Sequence, residues 1–76
     1  MKIEDFILKI EEELDELEPG KLKPDSPLDA FELNSINVLI IIALIKTEYD
    51  VAVDAEDFAN SKTIQDVFNI VKAKKQ

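Results

Sequence analysis

The sequence predicts an all-α fold, a small four-helix bundle of three main helices and one short helix with a long first loop. Three observations support this. Ile3, Phe6, Ile7, Ile10, Leu14 and Leu17 recur at three- and four-residue steps with acids between them, the spacing of an amphipathic helix. The apolar run at 38–45 is rich enough in β-branched residues to suit a buried strand, but no second strand-like segment exists to pair with it. Thr63-Ile64-Gln65-Asp66 has the form of a capping box at the head of a last apolar-periodic stretch.

In chain order, the first helix stops at Pro19-Gly20, the strongest breaker pair in the sequence. Its acid run, Glu11-Glu12-Glu13 with Asp15 and Glu16, is a solvated helix face or an electrostatic docking surface. Residues 19–34 form a long connection containing all three prolines, at 19, 24 and 27. A loop of that length in a small domain needs anchors, and Leu22, Leu28, Phe31 and Leu33 supply them. Ser26-Pro27 suits the start of a single helical turn, with Ser as cap and Pro at the first position.

Read as a helix from Ser35 to about Tyr49, the next segment resolves into two stripes. Val38, Ile41, Ile42, Ile45 and Tyr49 lie on one side, and Ile36, Ile40, Ala43 and Thr47 on roughly the opposite side. A helix apolar on both sides is either fully buried or presents one face to a partner. Full burial is geometrically difficult in so small a bundle, so the second stripe is a candidate contact face. Asp54-Ala55-Glu56-Asp57 predicts a capped short helix with Phe58 inward. The last helix turns Ile64, Val67, Phe68, Ile70 and Val71 inward and carries lysines toward its negative C-terminal end.

Composition narrows the function. The 76 residues suffice for one domain, 1–76, of marginal stability. With 46% apolar and 34% charged residues the profile is that of a soluble globular chain. There is no cysteine, hence neither a disulfide framework, a thiol nucleophile nor a Cys/His zinc site. There is no histidine, the commonest general base and metal ligand. The expectation is a protein that enzymes act upon, with no catalytic residue and no metal ligand of its own. A net charge of −8 disfavours nucleic acid and anionic membranes and favours basic partners. Residues 1–18 hold eight acids and two lysines, which leaves only −2 for the remainder. No signal peptide or membrane-spanning stretch is evident, so a cytoplasmic monomer is expected.

Ser35 sits where the polar loop becomes the apolar helix. A hydroxyl there is placed either to cap the helix or to carry a group, because a helix start offers unpaired N–H groups and partial positive charge.

The layout resembles the acyl carrier protein family, including the related peptidyl carrier domains, from about Ile3 to Val71. Phe31-Glu32-Leu33-Asn34-Ser35-Ile36 stands where that family has a Leu-Gly-x-Asp-Ser-Leu pattern. Glu48-Tyr49-Asp50 matches the end of its second helix, Val53 the turn that follows, and Thr63-Ile64 the start of its last helix, without an insertion. The resemblance implies an acyl-carrier-like bundle in which Ser35 receives 4′-phosphopantetheine from coenzyme A through a magnesium-dependent phosphopantetheinyl transferase. It further implies a carrier whose arm tethers acyl groups as thioesters and delivers them to enzymes such as a ligase, acyltransferase or ketosynthase, as in fatty acid biosynthesis and related lipid metabolism. A space between the helices that shelters the acyl chain is a further property of that family.

The departures cluster at the serine. Asn34 and Asn37 stand where the family has acids, Glu32 replaces the turn glycine, Ile40 replaces a usual glutamate, and Lys46 replaces an acid. The 35–49 segment contains only Lys46 and Glu48 and is neutral. Recognition through Asn34, Ile36, Asn37, Ile40, Ala43, Lys46 and Thr47 is therefore expected to rest on apolar contact more than charge. That points to a specialised lipid or secondary-metabolite carrier with dedicated partners. An aminoacyl carrier and an unmodified helical adaptor acting only by docking are the alternatives.

Overall fold

The computed structural model of the chain describes residues 2–14, 20–28 and 35–75. They contain four helices, α1 (Ile3–Glu13), α2 (Ser35–Tyr49), α3 (Ala55–Ala59) and α4 (Ile64–Lys75). There is no strand among the described residues, and Pro27 and Thr63 form one isolated antiparallel bridge. No helix among them is long and apolar enough to cross a membrane. The all-α reading of three main helices and a short one is the architecture observed.

The apolar faces converge as their spacing requires. α2 packs against α1, α3 and α4. Phe6 of α1 lies 5.3 Å from Phe68 of α4 and 5.8 Å from Tyr49 of α2, ring centre to ring centre. Phe6, Ile10, Ile41, Ile45, Ile64 and Val71 are fully buried around them. Burial of each such side chain contributes about 1.5–3 kcal/mol.

The expected capping box at α4 forms, and the expected cap of α3 is a capping box as well. The Asp54 carboxylate accepts from the Asp57 N–H (3.0 Å) while the Asp57 carboxylate accepts from the Asp54 N–H (3.1 Å). At α4, the Thr63 hydroxyl accepts from the Asp66 N–H, and the Asp66 carboxylate accepts from the N–H groups of Lys62 and Thr63. These donors hold the Asp66 carboxyl below the usual carboxylate range.

α1 departs from expectation at its end. The periodicity runs on to Leu17 and the breaker pair, but helical geometry stops at Glu13. Leu14 adopts an extended conformation with its side chain buried. Beyond it, the buried Glu11 carboxylate accepts from the N–H groups of Gly20 (2.9 Å) and Leu22 (3.3 Å), which secures the returning chain against α1. Leu17 lies outside the described residues.

The long loop is held as its apolar residues suggested. Leu22 is buried and Leu28 packs against the core, while Phe31 and Leu33 lie outside the described residues. Backbone bonds from Leu28 to Lys62, Ile64 to Ser26 and Gln65 to Pro24 fix the loop to the α3–α4 connection. The Ser26 hydroxyl is not a forward cap. It accepts from the Lys23 N–H (2.9 Å) within a turn, and a single 3₁₀ residue, Leu28, follows Pro27 among the described residues.

Candidate functional site

α2 begins at Ser35, the residue singled out by the sequence. Two properties of this helix matter for chemistry at its start. Its 15 residues align enough peptide dipoles to leave the first turn positive, and that turn contains no acid. Backbone N–H groups at such a terminus lack intrahelical acceptors and point toward an incoming anion. An anion placed at this terminus would meet donors and a favourable potential, without a first-turn carboxylate to repel it.

The other end of α2 is anchored through α4. The Lys75 ammonium donates to the Tyr49 carbonyl (2.9 Å), and Lys74 donates to the Ala52 carbonyl (3.1 Å) and the Asp57 carboxylate (3.0 Å). Asp50 closes the helix at φ 56°, a left-handed conformation that Asp tolerates better than most residues, with its N–H on the Lys46 carbonyl.

The two predicted stripes of α2 separate in space. Ile41, Ile45 and Tyr49 are buried with Leu44, and Val38 and Ile42 pack partly against the core. Of the opposite stripe, Ile36 is 67% exposed, Ala43 and Thr47 are exposed, and Ile40 is half-buried. Lys46 is exposed beside them, its ammonium 3.3 Å from Asp50.

Asn37 does not join this face. It is only 8% exposed, because the positions one and two turns on, Ile41 and Leu44, belong to the buried side. Asn34 lies outside the described residues.

Three residues of this surface were not identified from sequence. Leu39 is 62% exposed and continues the outer face at one-turn spacing from Ile36 and Ala43. That spacing was legible, but Leu39 fell between the two stripes. Glu13 and Glu48 join Ile40, Ala43, Leu44 and Thr47 in lining a depression of about 330 Å³ between the end of α1 and α2. Glu48 lies 3.7 Å from Lys9. Glu13, three turns along α1, carried no local signal that it meets α2.

Compared with known families, residues 5–71 match the family model described as phosphopantetheine attachment site. No curated protein sequence and no solved structure matches the chain.

Proposed function

This chain belongs to the phosphopantetheine attachment site family, and from that premise we propose that Ser35 is its attachment residue. Members of the family carry covalent 4′-phosphopantetheine, so the chain is a carrier for that arm. The arm supplies a thiol on which a group is held as a thioester. What the chain itself supplies is the hydroxyl, a place for the phosphodiester at the start of α2, and a surface for the enzymes that load and unload the arm. The observation that carries the proposal is that α2 begins at Ser35 with no acid in its first turn.

The cargo is an acyl group in a specialised lipid or secondary-metabolite pathway. The chain itself catalyses nothing, since the reactive chemistry belongs to the arm and to partner enzymes. Those partners are a phosphopantetheinyl transferase and an acid-activating ligase, acyltransferase or ketosynthase. They contact Ile36, Ile40, Ala43 and Thr47, with Leu39 and Lys46 exposed beside them, and Asn34, the residue before Ser35 in the sequence. Covering Ile36 and Leu39 contributes about 1–2 kcal/mol each, whereas an exposed ion pair gives about 0–1 kcal/mol. Apolar contact therefore dominates along this helix.

Incubation with a broad-specificity phosphopantetheinyl transferase, magnesium and coenzyme A, followed by intact mass, tests the assignment. The expected result is a gain of one phosphopantetheine that is lost completely in Ser35→Ala. No gain with several such transferases leaves the alternative, an unmodified adaptor that works by docking. Gain retained in Ser35→Ala places the attachment elsewhere.

A further inference from the structure

We propose that residues 20–28 form a strap that comes away from the bundle and unfolds as one unit, with the Glu11 carboxylate as its latch and the start of α4 as its far anchor. The proposal goes beyond the carrier reading and holds whether or not Ser35 is modified.

The strap is tied at both ends through its backbone. At its head, the N–H groups of Gly20 and Leu22 donate to the Glu11 carboxylate (2.9 and 3.3 Å). At its foot, the Pro24 and Ser26 carbonyls accept from the N–H groups of Gln65 (2.8 Å) and Ile64 (3.4 Å), and the Leu28 N–H donates to the Lys62 carbonyl (2.9 Å). Between them lies a turn closed on itself. The Ser26 hydroxyl accepts from the Lys23 N–H (2.9 Å), and the Lys23 carbonyl accepts from the Ser26 N–H (3.1 Å). This turn begins directly after Leu22 and presents both carbonyls to α4, so loss of order at the head passes through it to the foot.

The foot matters to α4. A helix leaves its first N–H groups without intrahelical acceptors. At α4, the N–H groups of Thr63 and Asp66 are met by its own capping box, whereas those of Ile64 and Gln65 are met by the strap. The strap thus supplies the half of the cap that the box does not reach. Its departure hands two donors of a core helix to water.

Little besides these bonds holds the strap. Six of its nine residues are exposed, Leu22 is buried, and Leu28 packs partly against the core. Its foot borders an open cleft of about 360 Å³ lined by Pro27, Leu28, Phe58, Ser61 and Lys62, so it is not packed on that side. Ordering the backbone costs entropy at every residue, and a segment with few buried apolar contacts belongs to the low-stability end of a fold. Ile41 and Ile45 of α2 are the opposite case, 1% and 0% exposed. The connection that moves is the one that leads to Ser35, seven residues beyond Leu28.

Amide hydrogen exchange on the full chain, followed by NMR across low denaturant concentrations, tests the unit. The five anchoring amides, Gly20, Leu22, Leu28, Ile64 and Gln65, are expected to share one opening equilibrium with a small denaturant slope. Ile41 and Ile45 are expected to exchange more slowly, opening only with the whole bundle. Glu11→Ala is expected to speed all five anchoring amides by one common factor of at least about tenfold. Ser26→Ala keeps the latch but removes the acceptor that closes the turn. It is expected to speed the same five by roughly two- to tenfold, and it reports on the unit should Glu11→Ala fail to fold.

Faster exchange at Gly20 and Leu22 alone in Glu11→Ala, or at Ile64 and Gln65 alone in Ser26→Ala, makes the two anchors independent and overturns the proposal. Exchange of all five at the pace of Ile41 and Ile45 overturns it too, because the strap then leaves only when the bundle unfolds. The mass gain at Ser35 is read separately, so the carrier reading stands or falls without the strap.

Discussion

Tyr49 brings a phenol into the aromatic centre of the bundle, where its ring meets Phe6 but its hydroxyl meets no hydrogen-bond partner among the described residues. Burial pushes the hydroxyl's pKa up, and the charges of Asp5 and Glu48 push it further. An unsatisfied buried hydroxyl costs about 1–3 kcal/mol, while the ring contact survives its removal. Tyr49→Phe is thus expected to stabilise the protein by about 1 kcal/mol, read as a rise of roughly 4–8 °C in thermal unfolding. A lower melting temperature would show that the hydroxyl has a partner. Asp57 is the opposite case. The Asp54 N–H, then the Lys74 ammonium, hold its carboxyl below the usual range. A carboxyl whose folded pKa is depressed stabilises the fold above its unfolded pKa, about 4, and that stability is lost as pH falls through the folded value. Asp57→Asn is therefore expected to lower the melting temperature at pH 7 and to have progressively less effect below about pH 4. The pair is partly exposed, so the loss stays within about 1 kcal/mol. An effect independent of pH would show that the carboxylate's charge is not what stabilises.

Among the elements, the described start of the first loop is tied to α1 by one side chain. Glu11 is 9% exposed and accepts from both Gly20 and Leu22. Two backbone bonds to one carboxylate make Glu11→Ala expected to cost about 1.5–3 kcal/mol. Faster hydrogen exchange at the amides of Gly20 and Leu22 than in the parent checks that the loop has been released. This anchor was not legible in the sequence, where Glu11 read as one more acid of a solvated face, because a contact nine or eleven residues away leaves no local pattern. The elements whose caps and periodicity agree were legible. Asp54-Asp57 and Thr63-Asp66 each bond within four residues, and their helices start where expected. α2 was legible because Ile41, Ile45 and Tyr49 repeat at helical spacing and every other candidate for a strand partner was missing. The contact face was read only in part. Ile36, Ala43 and Thr47 are outward, but Asn37 is drawn in by its place on the buried stripe, and the contribution of α1 to the depression beside α2 is a tertiary fact that no helix announces.

For the whole molecule, charge is what the fold leaves most out of balance. Seventeen acids face nine lysines, and the described residues make three ion pairs. The molecule measures 31 × 22 × 21 Å. At about 0.01 M salt the Debye length is about 30 Å, so every charge acts on every other, whereas at about 1 M it is about 3 Å and only contacts survive. The excess of −8 therefore works against the compact state mainly at low salt. The melting temperature is expected to rise with sodium chloride over this range, although salt weakens each surface ion pair. The acids of α1 are expected to account for much of the effect, since Ile3–Glu13 holds five acids and one lysine, a net of −4. Glu12→Lys with Glu13→Lys removes two negative charges and adds two positive ones, halving the net charge. That double variant is expected to melt higher than the parent at low salt, to show a shallower rise with salt, and to converge on the parent at high salt. Parallel salt curves for the two proteins would mean that the chloride acts through solvation and not through screening, and that the acidic end of α1 does not strain the fold.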